Sequence, residues 1–279
     1  MNLKIKSFLI FLLLIFAGNF VFAAEKFDAK AEKCVQEAYQ KVLETRICKT
    51  PAEAIEKINQ YQKTLSASAD YASISEEAKL TVQNILIITK YSYMYDINMK
   101  DPEAKKLILA QYDKVIAWNE KNPDNQNPYY IVSSGDVINS SMVFLPQSTA
   151  IKYGLKEKDD YDALNKKSPL MSIGFINSGL WYYMAPGIGG GSKKKAAALF
   201  KSAYDNAKTN YEKFYSAIYM SQIAYSNKDQ AACDKYLANA EAVLSGTNFI
   251  KFIKMLNTKG YSYFDYAEHK EKIDKKLGL

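Results

Sequence analysis

The feature that most constrains the fold is a series of helix-start signals, in each of which a capping side chain precedes a proline. The four signals are Thr50-Pro51, Asp101-Pro102, Asn127-Pro128 and Ser168-Pro169. The side-chain oxygen of such a residue accepts a hydrogen bond from a free N–H group in the first helical turn, and proline suits the first helical position because it has no N–H. Alternating strand patterns are absent. The sequence therefore predicts an all-α chain.

Ten segments of helical length are separated by short stretches. They cover residues 28–46, 52–65, 75–98, 103–120, 129–145, 170–184, 193–207, 211–226, 229–244 and 249 to about 276. The β-branched run at 85–89 lies inside a long helical window, and we interpret it as buried helix. We expect the stretch around Pro146 and Gly154 to be irregular. Short connections between helices favour an α-solenoid of stacked antiparallel hairpins with irregular repeats.

The N-terminus carries the pattern of an export signal. Lys4 and Lys6 precede an apolar run at residues 8–17, and Ala23 closes a motif of the kind that signal peptidase cleaves. The alternative, a membrane anchor, needs about 20 apolar residues to cross a bilayer, and this run is shorter. We therefore expect cleavage after Ala23 and a periplasmic or secreted protein that is not integral to the membrane.

The expected organisation is a signal peptide over residues 1–23 and a single helical-repeat domain over residues 24–279. The segment 121–128, rich in Asn and Pro, could form a bend within that domain.

Residue counts exclude several classes of function. The chain has 37 basic and 30 acidic residues, but Arg46 is its only arginine. Bidentate hydrogen bonding to phosphates or bases is a property of the guanidinium group, so we expect no nucleic-acid partner. His269 is the only histidine, which leaves little for a His-ligated metal or for a Ser-His or Cys-His pair. We expect no catalytic residues, no metal and no cofactor, and a protein that acts by binding rather than as an enzyme.

Cys34, Cys48 and Cys233 lie in the part of the chain that we expect to be exported, where disulfides can form. If one helix spans residues 29–46, Cys34 and Cys48 are about 20 Å apart, whereas a disulfide requires Cα atoms within about 7 Å. We expect buried free thiols.

The clearest internal repeat is a helical hairpin in the second half of the chain. Small residues at 178 and 179 allow its first helix to approach its second, which carries an Ala-x3-Phe-x2-Ala pattern. The residues with this spacing are Phe175, Ser178, Gly179 and Tyr182, then Ala196, Phe200 and Ala203. A weaker copy pairs Ser92 and Tyr95 with Ala104 and Ile108, with Gln111 in place of the last alanine. Here the chain resembles a tetratricopeptide-repeat protein of the exported bacterial kind.

The resemblance implies a concave surface that binds a protein or peptide partner in the cell envelope. The loop 185–193 also resembles the glycine-rich connection of exported tetratricopeptide-like proteins associated with TRAP-type transporters. A small-solute-binding accessory component of such a transport system is therefore the alternative function, and it predicts a closed pore or cavity.

The glycine-rich loop allows two interpretations. Gly189 and Gly190 precede Lys193 and Lys194 at a helix N-terminus, where N–H groups and ammonium groups could hold a small anionic solute. The alternative, which we favour, is a tight turn with solvated lysines. We keep these four residues as candidate ligand-binding residues.

The 22 tyrosines are the other unusual count. Clustered rings with polar tips suit a ligand or peptide groove, but they also suit packing between stacked helices. Among them and their neighbours, we choose Tyr95, Trp181 and Tyr182 as candidate binding residues.

Overall fold

The computed structural model describes residues 26–125 and 127–279. Within these ranges the chain forms fourteen α-helices, three short 3-10 helices and no strand, which confirms the all-α prediction. In chain order, the helices are α1 (Ala29–Glu44), α2 (Pro51–Ser66), α3 (Ala69–Ser73), α4 (Glu76–Ile97), α5 (Pro102–Lys121), α6 (Pro128–Ser141), α7 (Gln147–Lys167), α8 (Ser172–Met184), α9 (Lys193–Asn206), α10 (Asn210–Ser226), α11 (Gln230–Val243), α12 (Asn248–Thr258), α13 (Tyr263–Glu268) and α14 (Lys270–Leu277). The predicted signal peptide, residues 1–23, lies outside the described residues.

Three of the four predicted helix starts have the expected caps. The side chains of Thr50, Asp101 and Asn127 each accept a hydrogen bond from a backbone N–H in the first turn of α2, α5 and α6. The fourth prediction is wrong, because Ser168 ends α7 and its N–H donates to the Leu164 carbonyl. A residue before proline is disfavoured in the helical region, so the Ser-Pro pair acts here as a stop signal.

The chain departs from the prediction in three further places. The stretch around Pro146 and Gly154, which we expected to be irregular, is where α7 begins, and this helix runs through Gly154. The short helix α3 is not predicted. The single C-terminal helix expected over 249–276 is three helices, because Gly260 adopts a φ of 86° after α12 and His269 separates α13 from α14.

Five of the helices form a closed ring. α4 contacts α1 and α6, α8 contacts α6 and α10, and α10 contacts α1, so these five inner helices form a closed ring. The closing contact pairs the rings of Tyr39 and Tyr211, whose centroids are 4.7 Å apart, and Arg46 Nε donates to the Tyr215 hydroxyl at 2.8 Å. Outside the ring, α2, α5, α7, α9 and α11 pack against inner helices. The interpretation as a tetratricopeptide-like solenoid stays a prediction.

The hairpin of α8 and α9 packs as its spacing predicts. Phe200 and Ala196 are fully buried, and a Cβ built on Gly179 would lie 2.6 Å from the Phe200 ring. Only glycine therefore fits at position 179 without displacing that ring. The C-terminal helices add to this core, because the Phe264 ring stacks on Tyr183 at 3.9 Å.

Cys34, Cys48 and Cys233 are buried and free, as predicted. No helix in the described ranges has the length and apolar character needed to span a bilayer.

Candidate functional site

An apolar pocket opens among α6, α7 and α8, and we call it the Trp181 pocket. Its volume is about 630 Å³, which suits a small organic molecule. Three of its wall residues are exposed apolar side chains: Ile151, Leu155 and Met184 are 56%, 49% and 42% exposed. Such side chains clustered at one pocket favour an apolar ligand. The apolar walls are Ile88, Met142, Ile151, Leu155, Leu180, Trp181, Met184 and Pro186.

A carboxyl group lies in this apolar pocket. Asp136, on α6, accepts a hydrogen bond from Asn177 Nδ2 of α8 at 2.6 Å. It forms no ion pair with a described residue, and no lysine or arginine lines the pocket. Burial raises the pKa of Asp136 to about 7, although the Asn177 hydrogen bond opposes that shift. Asp136 is therefore partly ionised near neutral pH.

A second buried carboxyl group, Glu157 of α7, lies close enough to Asp136 for their charges to interact. Its Oε1 accepts hydrogen bonds from Asn139 Nδ2 at 2.6 Å and from the Tyr161 hydroxyl at 2.7 Å, whereas its buried Oε2 has no described partner. Burial raises the pKa of Glu157, and the charge of Asp136 acts in the same direction. Gly135 permits this arrangement, because a Cβ there would lie 2.6 Å from Glu157 Oε1.

Asp136 is the only charged residue of the described ranges that lines the pocket. One amide N–H of Asn139 and one of Asn177 donate to the two carboxyls, and the amide oxygens remain as acceptors. With Asp136 included, this end of the pocket complements a ligand that donates hydrogen bonds or carries a positive charge.

The carboxyl of Asp136 also predicts a pH dependence of stability. Its pKa is near the ordinary 3.8 in the unfolded chain and about 7 in the folded protein, so the folded state binds more protons between these values. We therefore expect the free energy of unfolding to fall as pH rises from about 4 to about 7, with Asp136 contributing roughly 3 kcal/mol, at about 1.4 kcal/mol per pKa unit. Urea denaturation across this range should show a shallower fall for Asp136→Asn than for the natural chain. Equal slopes for the two proteins would contradict the assignment.

The candidate residues from the sequence do not come together in one site. Trp181 and Gly189 line the Trp181 pocket, and Trp181 Nε1 donates to the Gly154 carbonyl at 3.0 Å. Gly190, with a φ of 97°, lies beside Trp181. Tyr182 is buried next to the pocket, where its hydroxyl donates to Asp162 Oδ2 at 2.7 Å.

The remaining three candidates lie elsewhere. Lys193 and Lys194 line a separate cleft of about 980 Å³ between the start of α9 and the end of α10, and Lys193 Nζ lies 5.0 Å from the Tyr183 ring centre. Tyr95 is half-buried, and its ring centre is 5.9 Å from that of Tyr91.

The glycine-rich loop uses its N–H groups internally. The backbone N–H groups of residues 189–192 donate to carbonyls of Pro186, Gly187 and Tyr182. These donors are not free for an anion, which favours the turn interpretation.

No protein-family model matches this chain, and neither does any curated protein.

Asp136, Glu157 and Asn177 were not among the residues predicted from the sequence. The sequence did contain one sign of Asp136, which is the only charged residue in α6. A single carboxylate in an otherwise uncharged helix is costly unless it has a partner, and among the described residues it has a hydrogen bond from Asn177 but no cation. Glu157 carried no such signal, because it lies among the many charged residues of α7.

Proposed function

We propose that this protein binds a small amphipathic cation, an apolar molecule with an amine group, in the Trp181 pocket. The observation that carries the proposal is Asp136, a carboxyl in an apolar pocket without a described cationic partner. The proposal belongs to the small-solute-binding alternative of the sequence analysis. A role beside a TRAP-type transporter stays a prediction.

The apolar walls supply most of the binding free energy. Each CH2 group removed from water contributes about 0.8 kcal/mol, so an octyl chain supplies about 6 kcal/mol before the cost of association is subtracted. Trp181 adds a large flat surface on one wall and is held in place by its hydrogen bond to the Gly154 carbonyl.

The amine would be recognised by Asp136. An ammonium group near this carboxylate stabilises the ionised form, so ligand binding lowers the pKa of Asp136 from its value of about 7. Binding therefore releases protons near neutral pH, and affinity rises as pH increases through 7.

The closed ring of inner helices favours this proposal over a peptide-binding scaffold. An extended peptide needs an open groove along successive hairpins, whereas α10 contacts α1 and so joins the first and the last of the five inner helices. The exposed Ile151, Leu155 and Met184 also border one pocket rather than a long strip.

Calorimetric titration with three ligands of equal chain length tests the proposal. At pH 8, octylamine is expected to bind at least about tenfold more tightly than octanol, which lacks the charge, and octanoate is expected to bind weakest because Asp136 repels it. Octanoate binding as tightly as octylamine would refute recognition by Asp136. No heat from any of the three at millimolar concentration would refute the pocket as a ligand site.

A further inference from the structure

A second pocket, which we call the Arg46 pocket, lies between the C-terminal ends of α1 and α4 and the helices α12 to α14. Its volume is about 660 Å³. Unlike the Trp181 pocket, it combines aromatic walls with charges of both signs. The aromatic residues that line it are Tyr93, Phe249, Phe252, Tyr263 and Tyr266.

Arg46 is held in this pocket by aromatic rings. Its guanidinium carbon lies 4.6 Å from the Phe249 ring centre and 5.5 Å from that of Tyr93, and its Nε donates to the Tyr215 hydroxyl at 2.8 Å. No carboxylate of the described residues pairs with it, and its two terminal amino groups have no described hydrogen-bond partner. A half-buried arginine normally uses these donors in a bidentate pair. The two terminal amino groups of Arg46 are therefore available to a ligand.

Of the other charged residues in the pocket, Lys270 is ion-paired and Asp96 is not. Lys270 Nζ donates to Asp274 Oδ2 at 2.8 Å and to the Tyr266 hydroxyl at 2.6 Å, so this lysine is engaged within the protein. Asp96, near the end of α4, lines the pocket and forms no ion pair with the described residues, although the charges of Lys270 and Arg46 both act on it. Arg46 and Asp96 thus form no ion pair with each other or with any other described residue. Lys49, which is exposed, also lines the pocket without an ion pair to a described residue.

We propose that the Arg46 pocket binds a small zwitterion, an α-amino acid with an apolar or aromatic side chain. Its carboxylate pairs with the guanidinium of Arg46, and its ammonium group pairs with Asp96. The aromatic walls then cover the side chain. This site is separate from the Trp181 pocket, because the two pockets share no lining residue.

Titration with L-phenylalanine and 3-phenylpropionate, which differ only in the α-ammonium group, tests this proposal. The natural chain is expected to bind phenylalanine at least about tenfold more tightly than 3-phenylpropionate. Arg46→Lys keeps the charge but loses the two terminal amino groups, and it should weaken both ligands by about tenfold or more. Asp96→Asn should weaken phenylalanine alone and bring the two ligands within about threefold of each other.

Lys251→Gln is the matched control, because Lys251 is an exposed residue of α12 that does not line the pocket. Its affinity for phenylalanine should match that of the natural chain. If Arg46→Lys disturbs the fold, as circular dichroism would show, Asp96→Asn decides, since Asp96 is exposed and makes no ion pair. Absence of phenylalanine binding, or binding that Asp96→Asn leaves unchanged, would overturn the proposal. Octylamine binding would survive that failure, so the two proposed sites are tested independently.

Discussion

Replacing Phe200 with alanine is expected to lower the free energy of unfolding by about 3–5 kcal/mol, the usual cost of removing a fully buried ring. The side chain has no exposed surface, and its ring stacks on Tyr219 at 5.1 Å and lies 5.8 Å from the centre of Phe264. The ring also lies directly against Gly179 of α8, so its removal leaves a cavity between α8 and α9. Urea denaturation measured by circular dichroism gives the change directly.

Phe144→Ala is the matched control, because Phe144 is only half-buried, in the short helix that follows α6. We expect this substitution to cost roughly half as much. A loss below about 1 kcal/mol for Phe200→Ala would mean that the hairpin of α8 and α9 is not a main source of stability.

Asp136→Asn is expected to weaken octylamine binding by about 30-fold at pH 8, which corresponds to a charge pair of about 2 kcal/mol. At this pH most of the Asp136 carboxyl is ionised, since its pKa is about 7. At pH 5.5 the natural chain carries a mostly neutral carboxyl, and its affinity should fall toward that of the variant. Calorimetric titration at both pH values measures the difference.

Asp162→Asn provides the control for this substitution. Asp162 is an aspartate of α7 that pairs with Lys195 at 3.0 Å and does not line the Trp181 pocket. Octylamine affinity within about twofold of the natural chain is expected for it. Equal losses in the two variants would point to a general structural effect rather than to recognition by Asp136.

Local chemistry made most helices predictable from the sequence. Caps such as Thr50 and Asn127 act within one turn of chain, so their signals are visible without tertiary information. The close approach of Gly179 to Phe200 was also predictable, because a small residue opposite a large one at helical spacing has few other uses.

The closed ring could not be predicted in the same way. The contact between Tyr39 and Tyr211 joins residues far apart in the chain, and neither residue carries a local sign of its partner. The helix α7 was missed because Gly154 is a poor helix former, at a cost of about 1 kcal/mol. Burial of Tyr161 and Leu164 on the same helix offsets that cost through tertiary packing.

The candidate site depends on the same long-range packing. Trp181 and Gly189 were chosen from the sequence for a groove and for an anion loop, respectively, and the structure brings both to one apolar pocket. The partner of Asp136 is Asn177, which lies 41 residues further along the chain. Nothing in a single sequence indicates that Asp136 and Asn177 are in contact.

The fluorescence of Trp181 tests the central claim most directly. The chain has two tryptophans, so Trp118→Phe leaves Trp181, in the wall of the pocket, as the only reporter. Titration of this variant with octylamine at pH 8 should change the emission of Trp181 in a saturable way, and octanoate at the same concentrations should not. An unchanged emission while octylamine binds by calorimetry would place the ligand elsewhere, and an equal response to octanoate would contradict recognition by Asp136.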